Sequence, residues 1–533
     1  MVLAFDGHLL DIERRELRRG TVLIKLEPQV FDLLAYLVHH RGRVVGKDEL
    51  IQAIWRGRIV SDSAVTTRIN AARRAVGDNG IDQRLIRTLR RKGFRFVGEV
   101  NEASTMREAP QSEVLPGEKA GVSASAFADR ASIAVVPFAA VGDDSEVRCF
   151  ADGLVEDVVI ALSRFHWLCV LAPMPPYAGR DWELDARGLG RDLAVRYVVQ
   201  AAVRRDGAKA RVTAHLVDTM SGSLLWTDRF DGLLAEGLQL QDRIASIMAG
   251  SIEPAVQSAE THRCSSPSNR DVTPYALRLL AHPIFSSGKK SVLRSLNLLE
   301  RAIELDPGYG SALADAANCR QILDVNGWTA DRQLNRRKAI NLARVALRDP
   351  SDPEPVAISA FALAYFGEDI DAALMLLDNA LRLNPSFAMG WYMSGFARLY
   401  AGQSEQAIEC FETSIRLNPR DRVARRSSAG IGIAHCFNGH FDEAVPILRP
   451  VIQEFPRWAT PYCVLSSCHA HLDFLREAEA IARRLNGTSP VPNAAQFRDA
   501  KHRELLSPGL KLAGRVRATG GSAARDALGF DVE

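Results

Sequence analysis

Six prolines, at positions 307, 350, 385, 419, 456 and 490, punctuate the second half of the chain at intervals of 43, 35, 34, 37 and 34 residues. A unit of about 34 residues that recurs in this way cannot bury its apolar face alone, so each copy must stack on the next. The regularity predicts an all-α solenoid over residues 274–490, five or six helix pairs long, with an insertion near residues 327–337 inside the 43-residue interval. The unit ending at Pro419 shows the pattern most fully. Its Gly395, Ala407 and Ser414 are small enough for two helices to cross closely, while Trp391 and Phe411 fill the space between them. Neighbouring units keep a small residue at Ala373, Ala444 and Ala478 and a large apolar one at Leu377 and Leu448.

Ahead of the repeats, residues 131–257 carry a different pattern. An apolar strand run at 132–138 precedes an amphipathic helix over 150–165, with Leu154, Val158, Leu162 and Phe165 inward. A second strand at 168–172, a short helix at 184–193, three strands at 194–204, 210–217 and 224–230, and a helix at 238–257 complete the order. This predicts a small α/β module with a mixed sheet. Residues 101–130, rich in Ala, Ser, Glu, Gly and Pro, are expected to form a flexible tether, residues 258–273 a second linker, and residues 491–533 a tail that frays beyond about 501.

Charge separates the first hundred residues from the rest. They hold 16 Arg and 3 Lys against 7 Asp and 5 Glu, a net of +7, which leaves −4 for the remainder of a chain whose total is +3. Short alternating runs over residues 3–26 suggest a small antiparallel sheet. A helix follows from Pro28 with Val30, Phe31, Leu34, Leu37 and Val38 on one face, then a second over 47–55 with Leu50, Ile51 and Ile54. Over residues 61–96 a third helix precedes a β-ribbon. Val65, Ile69, Ala72 and Val76 recur at helical spacing and face inward; by subtraction Thr66, Thr67, Asn70, Arg73 and Arg74 face outward, with Arg68 at the margin. The ribbon carries Arg90, Arg91 and Lys92 at its tip, where adjacent like charges destabilise the fold unless a polyanion neutralises them. Asn and Arg can bond base edges bidentately, so the combination points to double-stranded DNA, with the helix in the major groove and the ribbon on the backbone or minor groove.

Three blocks of this region, LEPQVFDLLAYLVHHRGRVVGKDELIQAIW, VSDSAVTTRINAARRAVGD and LIRTLRRKGFRFVG, resemble the winged-helix DNA-binding domain of the OmpR/ToxR type over roughly residues 3–99. The resemblance implies a winged helix-turn-helix (α+β) for residues 1–100. It places DNA contacts at Thr67, Arg68, Asn70, Arg73 and Arg74 of the third helix and at Thr88 and Arg90 of the wing. Trp55 falls in the region that meets phosphate or RNA polymerase, and Ala71 stands where many relatives have a basic residue, so base preference is not carried over. Through AVVPF, FADGLVEDVVIALSR and the strands that follow, residues 131–257 resemble the TolB N-terminal-like module, and residues 274–490 resemble tetratricopeptide repeats.

Together these readings predict a sequence-specific DNA-binding transcriptional regulator of the one-component type, with C-terminal modules for protein interaction, oligomerisation or ligand sensing. No receiver domain is written ahead of the winged helix, so control without a phosphorelay is expected. The expected partners are double-stranded DNA, RNA polymerase, a protein or peptide in the repeat groove, and a second copy on DNA. Eight cysteines are scattered without a CxxC, and no P-loop, GxSxG or HExxH occurs, so neither cofactor nor metal is expected. In the middle module Asp152 and Glu156 share a helix face with Asp157 turned away, and His166 and His215 are isolated, which speaks against an enzyme. The chain has neither an apolar run of about 18 residues nor a signal-peptide pattern, so a cytoplasmic location is expected. The alternatives are a protein-interaction scaffold that has lost DNA binding and, further off, an enzyme tied to cyclic-nucleotide signalling.

Overall fold

A computed structural model of the protein describes all residues except 1, 6–7, 12–15, 20–21, 25–27, 56–67, 70–71, 74, 77, 79–82, 90–91, 99, 103–130, 172–185, 266–272, 282–287, 457, 485–493 and 528–533. The chain forms two compact units, Met1–Glu118 and Lys119–Glu533.

In the first unit β1 (Val2–Phe5), β2 (His8–Asp11), β3 (Glu16–Arg19) and β4 (Val22–Ile24) run as an antiparallel meander. Helices α1 (Pro28–His39) and α2 (Lys47–Trp55) follow, and β5 (Ile86–Leu89) with β6 (Gly93–Phe96) forms a separate hairpin. Pro28 opens α1 because its missing N–H would be unsatisfied there anyway. The predicted stripe Val30, Phe31, Leu34, Leu37 and Val38 is buried, as is Leu50 of α2. Phe96 of the hairpin meets Phe5 of the meander edge-on at 5.0 Å, and one apolar core joins β1, β2, β3, the two helices and the hairpin. The first two residues of the expected tether are instead part of the sheet. β7 (Asn101–Glu102) pairs antiparallel with Ala4 and Leu3 and covers the edge of β1. Residues 103–130 lie outside the described residues.

The second unit opens with β8 (Ala131–Val135), β9 (Ala139–Val141), α3 (Ser145–Ser163), β10 (Leu168–Leu171), α4 (Ala186–Leu193), β11 (Tyr197–Asp206), β12 (Lys209–Asp218) and β13 (Leu224–Leu233). The sheet runs β10-β8-β11-β12-β13, parallel among its first three strands and antiparallel in the rest, with β9 parallel to β11. This is the mixed sheet that the strand order predicted. Asp144 caps α3 by accepting from the Glu146 amide at 2.9 Å, and Phe150, Leu154, Val158 and Leu162 turn to the core.

The closing helix α5 (Leu238–Cys264) runs seven residues beyond its predicted end at 257 and binds two neighbours. Near its start Gln241 donates to the Phe150 carbonyl; near its end the buried Glu260 accepts from the Tyr197 hydroxyl at 2.7 Å and from Arg196 at 2.9 Å. Between them Ser251 donates to the Leu417 carbonyl at 3.2 Å and Asn418 to the Gly250 carbonyl at 3.4 Å. A Cβ on Gly250 would lie 3.0 Å from the Ser386 carbonyl oxygen, so this approach requires glycine or a local shift. The module and the repeats therefore share one apolar core, although the sequence treats them as separate domains.

Those repeats are six helix pairs among the described residues. The pairs are α6 (Pro274–Ala281) with α7 (Lys289–Leu305), α8 (Gly310–Val325) with α9 (Arg332–Ala346), and α10 (Pro353–Phe366) with α11 (Ile370–Leu383). Then come α12 (Ala388–Ala401) with α13 (Ser404–Leu417), α14 (Arg422–Phe437) with α15 (Phe441–Glu454), and α16 (Ala459–His471) with α17 (Leu475–Arg483). Phe411 is fully buried, and a Cβ on Gly395 or Gly430 would overlap its ring at 2.5 and 2.3 Å. Ser414 donates to the Ala388 carbonyl at 2.9 Å across the same crossing. The predicted insertion is the long turn 326–331 between α8 and α9. The tail does not fray where expected: α18 (Ala500–Ala527) packs on α16, with Gly509 against the Cys463 carbonyl and its amide donating to Ser467 Oγ at 2.9 Å. No helix among the described residues is long and apolar enough to cross a membrane.

Candidate nucleic-acid interface

Residues 68–69, 72–73 and 75 are helical, and Ile69, Ala72 and Val76 of the predicted stripe are buried, while Val65 lies outside the described residues. Arg73 departs from the prediction. It is 5% exposed, and its guanidinium donates from Nε (3.0 Å) and Nη2 (2.8 Å) to the Ile86 carbonyl and from Nη2 to Thr88 Oγ1 at 2.7 Å. The reason lies in the spacing itself, since position 73 is four residues after Ile69 and three before Val76, on the inward face. Subtraction from an incomplete apolar list placed Arg73 outside; the fold uses it to tie the helix to the first strand of the wing. Burial lowers its pKa from the ordinary arginine value, opposed by the attraction of Asp78.

Asp78, which the sequence reading passed over, organises the other side of this corner. Its carboxylate accepts from the backbone amides of Arg84, Leu85 and Ile86, each at 2.9 Å, and so aims the chain into β5. Gln83 takes a left-handed backbone conformation with φ +47°, and its Oε1 accepts from the Thr88 amide at 2.7 Å. Thr88, expected as a DNA contact, is thereby engaged through both hydroxyl and amide.

The wing is a two-stranded ladder of four register pairs. Ile86 faces Phe96, Arg87 faces Arg95, Thr88 faces Phe94 and Leu89 faces Gly93. Val45, between α1 and α2, adds a bridge through two hydrogen bonds with Phe94 at 2.8 and 2.9 Å. Gly93 permits that approach: its φ is +128° and a Cβ there would sit 2.0 Å from the Val45 carbonyl oxygen. Ile86, Phe94 and Phe96 are buried, which leaves Arg87 and Arg95 exposed and directly opposite each other. Two cations in register repel unless an anion lies over them. The sequence reading missed this pair, yet the alternation in IRTL and GFRF encodes it once the register is known. Arg95 Nε also donates to the Arg41 carbonyl at 3.2 Å, and Lys92, exposed beside the tip, closes the hairpin through its amide to the Leu89 carbonyl.

Arg68 is half-buried and partnered. Thr66, Thr67, Asn70, Arg74, Arg90 and Arg91 lie outside the described residues, as does the side chain of Trp55, the last residue of α2. Near the turn before α2, Arg43 pairs with Glu49 at 2.8 Å and Tyr36 donates to Glu49 at 2.9 Å; these bonds, the arginine's foremost, hold the Glu49 carboxyl down at about 2. As for metals, His435, His440 and Glu443 bring one ligand atom each within 4.8 Å of one another, the one such grouping among the described residues. Two of the three are exposed, and an exposed grouping of this kind is ordinary without an ion.

Residues 20–96 match the family described as "Transcriptional regulatory protein, C terminal". The winged helix belongs to that family. Its match begins within the meander and ends at Phe96, the last residue of β6, so it contains the helix, the Asp78 corner and the wing. Across the longer chain, the Transcriptional regulator HilA of Salmonella typhi is 24% identical over 434 residues, 81% of this chain and 71% of that protein. The Putative adenylate cyclase 3 of Rhizobium meliloti is 30% identical over 236 residues, 44% of this chain but 40% of its own length. A solved structure of the DNA-binding domain of E. coli CadC is 30% identical, covers 19% of this chain and 94% of its own, and aligns with a TM-score of 0.18.

Proposed function

We propose that this chain is a one-component transcriptional regulator of the cytoplasm, whose winged helix binds double-stranded DNA. The observation that carries the reading is the wing: two exposed arginines in register on its outer face, Lys92 at its tip, and a buried arginine fixing its inner edge to the third helix. Membership in a transcriptional regulatory domain family and likeness to a protein named Transcriptional regulator HilA support it. Thr66, Thr67, Arg68, Asn70 and Arg74 read or position the major groove, and Arg87, Arg90, Arg91, Lys92 and Arg95 hold phosphates. Arg73 and Thr88 fix the angle between the two. A second copy on DNA, RNA polymerase near Trp55, and a protein or peptide on the repeats complete the proposed set of partners.

Genome-wide immunoprecipitation supplies the target, and gel shifts across a salt series test the roles. Replacing Arg87 and Arg95 together by Gln should weaken binding to every sequence and reduce the salt slope by about 0.9 for each phosphate no longer neutralised. Asn70→Ala should instead relax base choice, by about 1–3 kcal/mol at one position. Absence of sharp genomic peaks, or an unchanged slope in the wing variant, would overturn the reading. Formation of cyclic AMP from ATP by the full chain would overturn its non-enzymatic part.

A further inference from the structure

In the second unit the first helices of successive pairs line an open-sided cavity of about 620 Å³. That volume lies in the usual range for small-molecule sites. Its walls are largely aromatic, with Trp328, Phe361, Phe396, Tyr400, Phe455 and Trp458 among them. Phe361 and Tyr400 are stacked 6.2 Å apart, and Trp328 is supplied by the inserted turn 326–331 that breaks the repeat period. Into this apolar chamber α14 brings two cations. The Arg426 guanidinium lies 5.1 Å from the Phe455 ring and 5.2 Å from that of Trp458, and Arg422 lies 5.8 Å from Phe455. Rings hold the cations against the wall, and with Lys289 they outnumber Glu454, the carboxylate of the lining. Two buried amides complete it. Asn318 and Gln321 line the cavity at 3% and 5% exposure, and neither Asn318 Oδ1 nor Gln321 Oε1 has a hydrogen-bond partner among the described residues. Buried acceptors left unpaired are costly, so a fold retains them where something else donates.

We propose that this cavity binds a small aromatic carboxylate carrying a hydroxyl or ring N–H. The ring system lies among the aromatic walls, the carboxylate is held by Arg422 and Arg426, and the donor serves the amide oxygens of Asn318 and Gln321. Stacking alone would accept any flat apolar molecule; the arginines select an anion, and the amides select a donor.

The test is calorimetric titration of the full chain with indole-3-acetate and 4-hydroxyphenylacetate, each beside its neutral amide. At least one acid should bind saturably, with its amide at least about tenfold weaker. Arg422→Gln and Arg426→Gln should each remove most of that preference, and Gln321→Leu should lower affinity for 4-hydroxyphenylacetate more than for phenylacetate. No saturable binding of either acid, equal binding of acid and amide, or undiminished preference in both arginine variants would overturn the proposal. The comparison of acid with amide needs no variant, so it stands even if a substitution unfolds the repeats. Gel shifts on the same preparations judge DNA binding separately, so loss of the regulator reading and loss of this site are distinguishable.

Discussion

Replacing Arg73 by Ala separates a structural tie from a base contact. Its guanidinium donates twice to the Ile86 carbonyl and once to Thr88 Oγ1, at 2.7 to 3.0 Å. Hydrogen bonds from a charged donor contribute about 1.5–3 kcal/mol, and a buried carbonyl stripped of its donor costs about 1–3 kcal/mol. Part of that loss is offset, because burial disfavours the guanidinium that the substitution removes. The expected net destabilisation of the wing is about 2–3 kcal/mol, a large share of the total for a domain of this size. Hydrogen exchange at the Val45 and Phe94 amides, each of which donates to the other residue's carbonyl across the bridge, reads it in the full-length protein. Their opening free energy should fall by about that amount, and Arg73→Lys, which can keep one bond, should fall between wild type and Ala. DNA affinity should weaken for every sequence alike as the wing loses its fixed angle, with base preference unchanged. Unchanged protection, together with lost discrimination at a single base pair, would refute the argument and restore Arg73 to the outer face.

Three further outcomes follow from the packing. Gly93→Ala should destabilise the wing by more than about 2 kcal/mol, because its Cβ would overlap the Val45 carbonyl at a backbone angle that suits glycine; the same amides should lose protection. Phe411→Ala should cost the second unit about 3–5 kcal/mol in denaturant melts, since the ring fills the space above Gly395 and Gly430. Burial, with the charge of Glu354, pushes the Glu253 carboxyl up to about 8, above its unfolded value. Its contribution is therefore present below about pH 4.5 and lost as pH rises through 8. Glu253→Gln should flatten the decline of melting temperature between pH 5 and 8.5 relative to wild type; an equal slope in both would contradict it.

Wherever structure follows from near neighbours in the chain, the sequence was sufficient. The 34-residue period, the inward stripe of Ile69, Ala72 and Val76, the strand order of the middle module and the basic hairpin tip are all local patterns. Helical and strand spacing fix which side chains share a face before any tertiary contact forms. The tertiary structure decided what depends on residues far apart. Helical spacing alone puts Arg73 on the inward face, but the partner that its guanidinium meets there, a carbonyl 13 residues away, is set by the tertiary fold. Asn101 and Glu102 are a strand because β1 offers a free edge, and α18 is ordered because α16 receives Gly509. The merging of the middle module with the repeats, and the cavity lined by both the inserted Trp328 and two arginines of α14, arise from close packing between elements whose separation in sequence carries no periodic signal.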